Sequence, residues 1–530
     1  MARKRHGRPR RPPGGQLPLI ATDSGSDLPL YEQICRELRE QVIAGRLRAG
    51  TRLASTRTLA VELGLSRFTL VSAVERLLAE GYLTTRRGSG TFVVDILPEQ
   101  RMRPAAVRPK PAGGSRSTAP TLSTRGRALS AVVITGPRLE TNEPRPFRPR
   151  RPALDVFPLR VWARLVRGQW KTYRHQYLDY GDPAGYRPLR QAIAEHIGVA
   201  RGVRCEPDQV IVTSGAQQAF DLLFRLVVDP GDKVWIEDPG YLDVRGALIG
   251  AGANVVPVPV DADGIDVAEG IRRAPDARLA VVSPSHQYPT GATLSAARRG
   301  ALLEWARHAG AWVIEDDYDS YFRYRGRPFS ALQRFDEDGV AAHGGDRRVL
   351  YVGTFSKTMF PSLRLGFCIV PPTLVDAVAN ARAIADRNSP IADQAALAAF
   401  IADGHYDRHL RRVRLVYQER HDAMRFYFRK ALDGMVSLAP TMAGTHMIGW
   451  LRQARSTRAG ESPAIAVSRA AAAENLVVFP LSRYTLEQPR HDGLVLGYGG
   501  LTPRRIAAGA ESLARAIDRV RRARQPRPRP

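Results

Sequence analysis

In the first hundred positions, apolar residues recur at helical spacing three times in succession. Tyr31, Ile34, Leu38 and Val42 mark one face of a helix that ends near Gly45. Leu59, Ala60 and Leu63 mark a second, begun by Ser55 as N-cap and stopped at Gly64. Ser66 caps a third, whose buried face is Leu70, Val71, Val74, Leu77 and Leu78 and whose end is Gly81. The period then shortens: Tyr82 to Arg87 and Thr91 to Val94 read as two strands around Gly88-Ser89-Gly90. Two helices joined by Leu63-Gly64-Leu65-Ser66 predict a helix-turn-helix, and the hairpin predicts a wing.

From Pro152 to about Arg521 the pattern is different. Short apolar runs such as Val210-Ile211-Val212, Lys233-Val234-Trp235-Ile236, Leu279 to Ser283 and Val349-Leu350-Tyr351-Val352 alternate with helical stretches, which predicts a parallel α/β sheet followed by an α/β tail. Five segments are expected: a disordered basic tail at 1–26, a winged helix-turn-helix at 27–95, a proline- and arginine-rich linker at 96–150, an α/β domain at 151–521 and a second basic tail at 522–530. Within the linker, Ala128 to Ile134 is apolar enough to pack. No internal repeat is present.

The charge adds a preference for partners. A formal net charge of +27, from 79 Lys+Arg against 52 Asp+Glu, favours a polyanion such as nucleic acid, although GC-rich coding also enriches Arg. Three widely spaced cysteines, Cys35, Cys205 and Cys368, suggest neither a metal knuckle nor a disulfide framework. The N-terminus lacks the apolar core of a signal peptide and no run is long enough to span a membrane, so a cytoplasmic protein is expected, without a membrane partner.

Candidate DNA contacts lie where helix starts and the wing leave charge exposed: Arg57, Ser66, Arg67 and Thr69, with Arg86, Gly88 and Gly90 on the wing. Taken singly, Arg67 and Thr69 fit capping and solvation as well. In the large domain, Lys357 in Gly353-Thr354-Phe355-Ser356-Lys357 follows a buried strand, and Asp316 stands in Glu315-Asp316-Asp317-Tyr318 at the end of another. An amine that can form a Schiff base and a carboxylate that can keep a pyridine nitrogen protonated are what pyridoxal phosphate requires. Asp316 also fits a helix cap or an ion pair. Gly215, Ala216 and Gln217 open a helix after a strand and would cradle the phosphate with backbone amides, with Thr354 and Ser356 adding hydroxyls and Arg364 a full charge. Tyr241 is placed to stack on the ring or to sit on the rim, and Tyr318 to hydrogen-bond the ring hydroxyl. His286 and Gln287 are expected to face the cofactor, His286 as a general base or as a structural histidine, and Tyr180 to reach the phosphate from a dimer partner.

Residues 28–94 resemble the winged-helix domain of the GntR family through Leu59-Ala60, Leu63 to Arg67, Ala79 to Tyr82 and Gly88 to Val93. Ala54 replaces the family's usual proline, which would loosen the entry to the second helix, and Val74 a common tyrosine. Residues 152–521 resemble the fold-type I aminotransferases, and the whole chain resembles the MocR subfamily through Tyr180 to Gly185, Gly215 to Gln218, Glu237 to Tyr241, Pro284 to Gly291, Glu315 to Asp319 and Gly353 to Lys357. The resemblance implies an α/β fold of winged helix plus aminotransferase-like domain, Lys357 as Schiff-base lysine, Asp316 on the pyridine nitrogen, Tyr318 on the ring hydroxyl, and a homodimer. It also implies an arginine clamp for a substrate carboxylate, where this chain has Val495. Arg504 and Arg505 follow Thr502-Pro503 and read as surface residues of a helix start.

The expected function is a transcription regulator that binds operator DNA and senses pyridoxal phosphate or an amine or amino-acid effector. An active aminotransferase with an appended DNA-binding module, retaining at least a half-reaction, is the alternative. A DNA-organising protein with a vestigial site is a third.

Overall fold

The computed structural model describes residues 17–95 apart from 19, 21, 24 and 27, and then 122–132, 145–171, 177–324, 329–452, 461–487 and 492–522. Most of the expected basic tails and of the expected linker lies outside these residues, but the end of the expected disordered N-terminal tail is ordered, with Ile20 packed on the first unit's core and Asp23 N donating to Gln33 Oε1 at 2.9 Å. The chain forms two compact units, Met1–Ala119 and Pro120–Pro530.

In the first unit three helices, α1 (Leu30–Ile43), α2 (Thr56–Glu62) and α3 (Arg67–Ala79), precede a hairpin of β1 (Leu83–Arg86) and β2 (Gly90–Val93). The caps are those the sequence predicts. Ser55 Oγ accepts from Thr58 N and Ser66 Oγ from Thr69 N, each at 3.1 Å, and Gly64 and Gly81 take the positive φ that a sharp exit needs. Ala54 sits buried in the core immediately before the Ser55 cap. Ile34, Leu38, Leu59, Leu70, Ala73, Val74 and Leu77 make one core with Leu83 and Val93 of the hairpin. Val74 is a core residue there, 6% exposed.

The second unit has an eight-stranded sheet and a four-stranded one. The large sheet is built from β3 (Val210–Thr213), β4 (Lys233–Asp238), β5 (Asn254–Asp261), β6 (Gly264–Ile265), β7 (Leu279–Val282), β8 (Trp312–Asp317), β9 (Val349–Thr354) and β10 (Gly366–Ile369), in the order β3-β10-β9-β8-β7-β4-β5-β6. Strands β9, β8, β7, β4 and β5 are parallel, and all but β5 are largely buried on both faces. The expectation of a parallel sheet fails at β10, which runs antiparallel to both its neighbours, β9 and β3. Residues 355–365 join β9 to β10, fewer than the roughly dozen or more that a parallel crossover takes, and the short β6 is likewise antiparallel to β5. The smaller sheet, β11 (Val436–Leu438), β12 (His446–Leu451), β13 (Phe479–Pro480) and β14 (Gly493–Gly497), is antiparallel in the order β11-β12-β14-β13. Helix His405–Leu432 contributes Tyr406, Leu410, Val413 and Tyr417 to a core beside the large sheet and Met424, Phe428 and Leu432 to that of the small one, tying the two together.

The expected linker is partly structured. Helix Thr124–Ser130 packs against helix Leu242–Ala251, close enough that a Cβ on Gly246 or Gly250 would stand 3.0 Å from Val132 or 3.2 Å from Leu129. Residues 145–150 belong to the large unit. Phe147 is fully buried, edge-on to Phe428 at 5.5 Å, and its carbonyl accepts from Gly497 N. A single aromatic with a core to enter overrides the surrounding proline and arginine composition. Phe147→Ala should therefore lower the stability of the large unit by about 3–5 kcal/mol, read as a shift of its urea transition in the full-length chain.

Candidate functional site

The large unit's chemistry is concentrated where β4, β8 and β9 end. Along β8, side chains alternate between faces, so Glu315 and Asp317 point one way and Asp316 the other. The first two are taken up by the protein: Glu315 accepts from Gln333 N at 3.0 Å, and Asp317 pairs with Arg201 at 2.8 Å and accepts from the Tyr351 hydroxyl at 2.5 Å. Asp316 instead lines a cavity of about 280 Å³, together with Lys357, Tyr318, Tyr241, Gln217 and Arg150. Among the described residues nothing hydrogen-bonds to its carboxyl. Burial, with Asp317 and Glu237 nearby, pushes that carboxyl up to about 8.

Lys357 follows β9 on the turn the sequence predicts, and burial, with Arg150 nearby, brings its amine down to about 7. Its Nζ donates to the carbonyl of Arg150 at 2.9 Å rather than to a carboxylate. The cavity thus holds an amine and an acid that do not pair with each other.

At the other end is an anion cradle. Gly215, with φ of +91°, precedes helix Ala216–Val227, and a Cβ there would stand 3.0 Å from the Arg364 guanidinium. Arg364 donates to Ser214 O at 2.7 Å and lines the cavity with Ala216, Gln217, Thr354 and Ser356. Gln217 donates to Asp243 O at 2.9 Å, while its own Oε1 is buried without a partner among the described residues. An aromatic aldehyde carrying a phosphate matches this set, with the amine for the aldehyde, the acid for a ring nitrogen and the helix start for the phosphate.

Several placements differ from expectation. Gln287 faces away from the cavity, its amide donating to Glu237 at 3.2 Å and to the carbonyls of Pro239 and Tyr288. His286 stands behind Tyr318 rather than on the cavity wall, with Nδ1 3.1 Å from the Tyr318 hydroxyl. Tyr180, expected to act from a dimer partner rather than in its own chain, is 77% exposed and lies outside its own chain's cavity, with Arg387 over its ring at 5.1 Å. Val495 is fully buried on β14 among Tyr288, Ile448, Leu481 and Tyr484, which leaves no room for a guanidinium. Arg504 is exposed at the start of helix Pro503–Arg522, as read from the sequence.

Arg150 was not foreseen. Its backbone takes a φ of +70°, its guanidinium lies 4.5 Å from the Tyr241 ring centroid, and it pairs with Asp243 at 3.2 Å and with the Tyr241 hydroxyl. A single arginine in an arginine-rich segment carries no local signal of such a position. The second cavity, about 800 Å³, lies on the far side of His286 and is bordered by Arg323, Thr290 to Thr293 and Ala439 to Ala443.

In the first unit, Arg57 and Arg67 are exposed at the starts of α2 and α3, Arg86 and Arg87 lie on or just after β1, and Gly88 and Gly90 turn the wing with φ of +76° and +112°. Arg39 and Arg76 are committed to Glu80, whereas Arg57, Arg67 and Arg87 make no ion pair among the described residues. Ser66 and Thr69 do cap α3, their hydroxyls 2.7 Å apart. Arg86 lies 4.9 Å over the Phe92 ring. Phe68, 79% exposed on the first turn of α3, is an apolar candidate that the amphipathic pattern does not explain. Among the described residues no helix is long and apolar enough to cross a membrane.

Comparison with known proteins agrees with both halves. Residues 30–93 match the model for bacterial regulatory proteins of the gntR family, and residues 158–494 that for class I and II aminotransferases. Over 500 residues the chain is 39% identical to the probable rhizopine catabolism regulatory protein MocR of Rhizobium meliloti, covering 94% of this chain and 96% of the relative. It is 30% identical over 480 residues to the pyridoxine biosynthesis transcriptional regulator PdxR of Corynebacterium glutamicum, covering 91% and 94%. A solved α-aminoadipate aminotransferase, LysN of Thermus thermophilus complexed with N-(5'-phosphopyridoxyl)-L-leucine, matches with a TM-score of 0.64 at 27% identity, over 71% of this chain and 92% of that one. The winged helix, the aminotransferase-like fold and full-length similarity to regulators of the same two-part build together make the chain a member of the MocR subfamily of GntR-family transcription regulators.

Proposed function

We propose that this DNA-binding transcription regulator takes up pyridoxal phosphate in its large unit and changes its hold on operator DNA when the cofactor, or an amine or amino acid that reacts with it, fills the cavity. The observation that carries the reading is the unpaired Lys357 and Asp316 in one cavity with a phosphate cradle at its end. When bound, the cofactor supplies an aldehyde and an electron-drawing ring. Lys357 supplies the amine, Asp316 holds the ring nitrogen protonated, Tyr318 donates to the ring oxygen and Tyr241 packs against the ring. Gly215, Ala216, Gln217, Thr354, Ser356 and Arg364 hold the phosphate. The regulator works in the cytoplasm as a homodimer, in which the exposed Tyr180 reaches the partner's phosphate. Residues 27–95 read the operator, with Arg57, Ser66, Arg67, Thr69, Arg86, Gly88 and Gly90 at the DNA. An effector shifts DNA binding only as far as it prefers one arrangement of the dimer over another.

Turnover is the second reading. The intact Lys357, Asp316 and Tyr318 favour it, and the apolar packing around Val495 opposes it by removing the bidentate carboxylate contact that positions an amino acid. Adding amines and amino acids to the cofactor-loaded protein separates the two. Conversion of the cofactor to its amine form would give the enzyme reading equal standing, whereas a perturbed but persistent cofactor band with altered operator affinity supports a sensor.

Lys357→Ala should abolish the borohydride-reducible attachment of the cofactor while leaving the circular dichroism spectrum unchanged. Because the amine is held at about 7, its uncharged, nucleophilic fraction grows as pH rises through 7 and is nearly complete two units above. The rate of cofactor capture in stopped-flow absorbance should accordingly climb from about pH 6 to 8 and level off, where an ordinary lysine would keep gaining up to about pH 10. Arg67→Ala should weaken operator binding by about 1–3 kcal/mol in a gel shift at fixed salt, with cofactor loading unchanged.

A further inference from the structure

His286 lies on the loop after β7 and is 2% exposed. Its Nδ1 is 2.9 Å from Asp319 Oδ2 and 3.1 Å from the Tyr318 hydroxyl. A ring nitrogen offers either one proton or one lone pair. With a bare Nδ1, two oxygens would compete for a single lone pair. With a proton on Nδ1, the N–H is shared between the carboxylate and the Tyr318 oxygen, and both contacts are satisfied. Tyr318 is then an acceptor towards His286, so its own O–H points elsewhere, and the elsewhere it borders is the cofactor cavity. Burial, with Asp319 and Asp316 beside it, pushes the Tyr318 phenol well up, so it keeps the proton it donates.

The imidazole is held rigidly. A Cβ on Gly444 would stand 2.1 Å from His286 Cε1, and one on Gly291 would stand 3.2 Å from Nε2; both glycines have positive φ, +88° and +79°. His446 packs on it at 5.2 Å between ring centroids. Nε2 is buried without a hydrogen bond among the described residues, which is costly for a polar ring that served only to fill space. What an apolar ring of the same shape would lack is the Nδ1 contact pair.

We propose that His286, fixed by Asp319, is a positioning residue for the cofactor site: it holds Tyr318 as a hydrogen-bond acceptor and so aims the Tyr318 proton into the cavity, at the anionic oxygen of the cofactor ring. The inference rests on the reading that the large unit binds pyridoxal phosphate. The other titratable groups around the pair include His446 from β12, Arg201 and Arg323 across a small gap beside His286, Asp317 and Lys357 near Asp319, and Asp316, Glu237 and Tyr288 around Tyr318. The consequence is optical: a hydrogen bond donated to the ring oxygen favours its deprotonated form, so weakening that bond raises the pH at which the visible cofactor band titrates.

Two polar substitutions isolate the Nδ1 contact. In His286→Asn the amide nitrogen overlays Nδ1 and keeps the donor; in His286→Gln it overlays Nε2 and does not. With the cofactor-loaded full-length protein, the band's midpoint should stay near wild type in His286→Asn and rise by about one pH unit in His286→Gln. In a Tyr318→Phe background, His286→Gln should add nothing further. Equal midpoints in wild type, Asn and Gln would overturn the proposal, as would an undiminished Gln shift without the Tyr318 hydroxyl. The ligand atoms of His286, Asp319 and His446 lie within 4.8 Å of one another, so a midpoint reset by EDTA and restored by zinc would overturn it in favour of a metal on these groups. Failure of the underlying reading looks different: wild type itself would show no reducible cofactor band at any pH, and the inference would fall with it.

Discussion

Burying an amine and a carboxyl in one cavity without letting them pair is the constraint on which the large unit turns. Lys357 spends its hydrogen bond on the carbonyl of Arg150, and Asp316 has no partner among the described residues, so burial drives both towards their neutral forms, to about 7 and about 8. Charged groups normally escape that penalty by pairing. The fold prevents it by assigning each neighbouring acid elsewhere: Asp317 to Arg201, Glu315 to a backbone amide, Glu237 to Gln287 and Ser283, Asp319 to His286. On the proposed reading, the electrostatic deficit of this site is made good by a ligand with an electrophilic carbon, a basic ring nitrogen and an anionic tail. On that reading, the cost of holding Lys357 and Asp316 neutral is what would make the cavity selective for such a ligand.

Legibility in the sequence followed the range of the interactions. The winged helix is read almost residue by residue because its determinants are local: a hydrophobic period, Ser caps and glycines at positive φ. That Asp316 and Lys357 meet in one cavity is read nearly as well, because strand ends with small-residue turns converge at one edge of an α/β sheet. Contacts made across long stretches of chain were not legible. Arg150 reaches a residue 207 positions away, and nothing in its Pro- and Arg-rich surroundings distinguishes it from a linker arginine. The same composition hid Phe147, whose burial depends on a helix more than two hundred residues downstream. Gln287 is expected at the cavity from its place on the loop after the strand Leu279 to Ser283, although its amide is consumed by Glu237 and two carbonyls. The antiparallel direction of β10 turns on a loop length rather than on a pattern.

Val495 bears most on whether the site reacts or reports. At the place where the resemblance to aminotransferases implies a carboxylate clamp, the chain packs a valine into a wholly buried cluster with Ile448 and two tyrosines. That is a built feature: a guanidinium there would have to be desolvated against apolar walls. Besides Arg364 at the helix start, the structure brings Arg150 to the cavity, anchored to Asp243 and lying over Tyr241. It arrives from the segment that leads into the large unit rather than from the small sheet. An anion that competes for Arg150 would therefore act on the chain just after the stretch joining this unit to the DNA-binding one, whereas an anion held at the position of Val495 would act on β14.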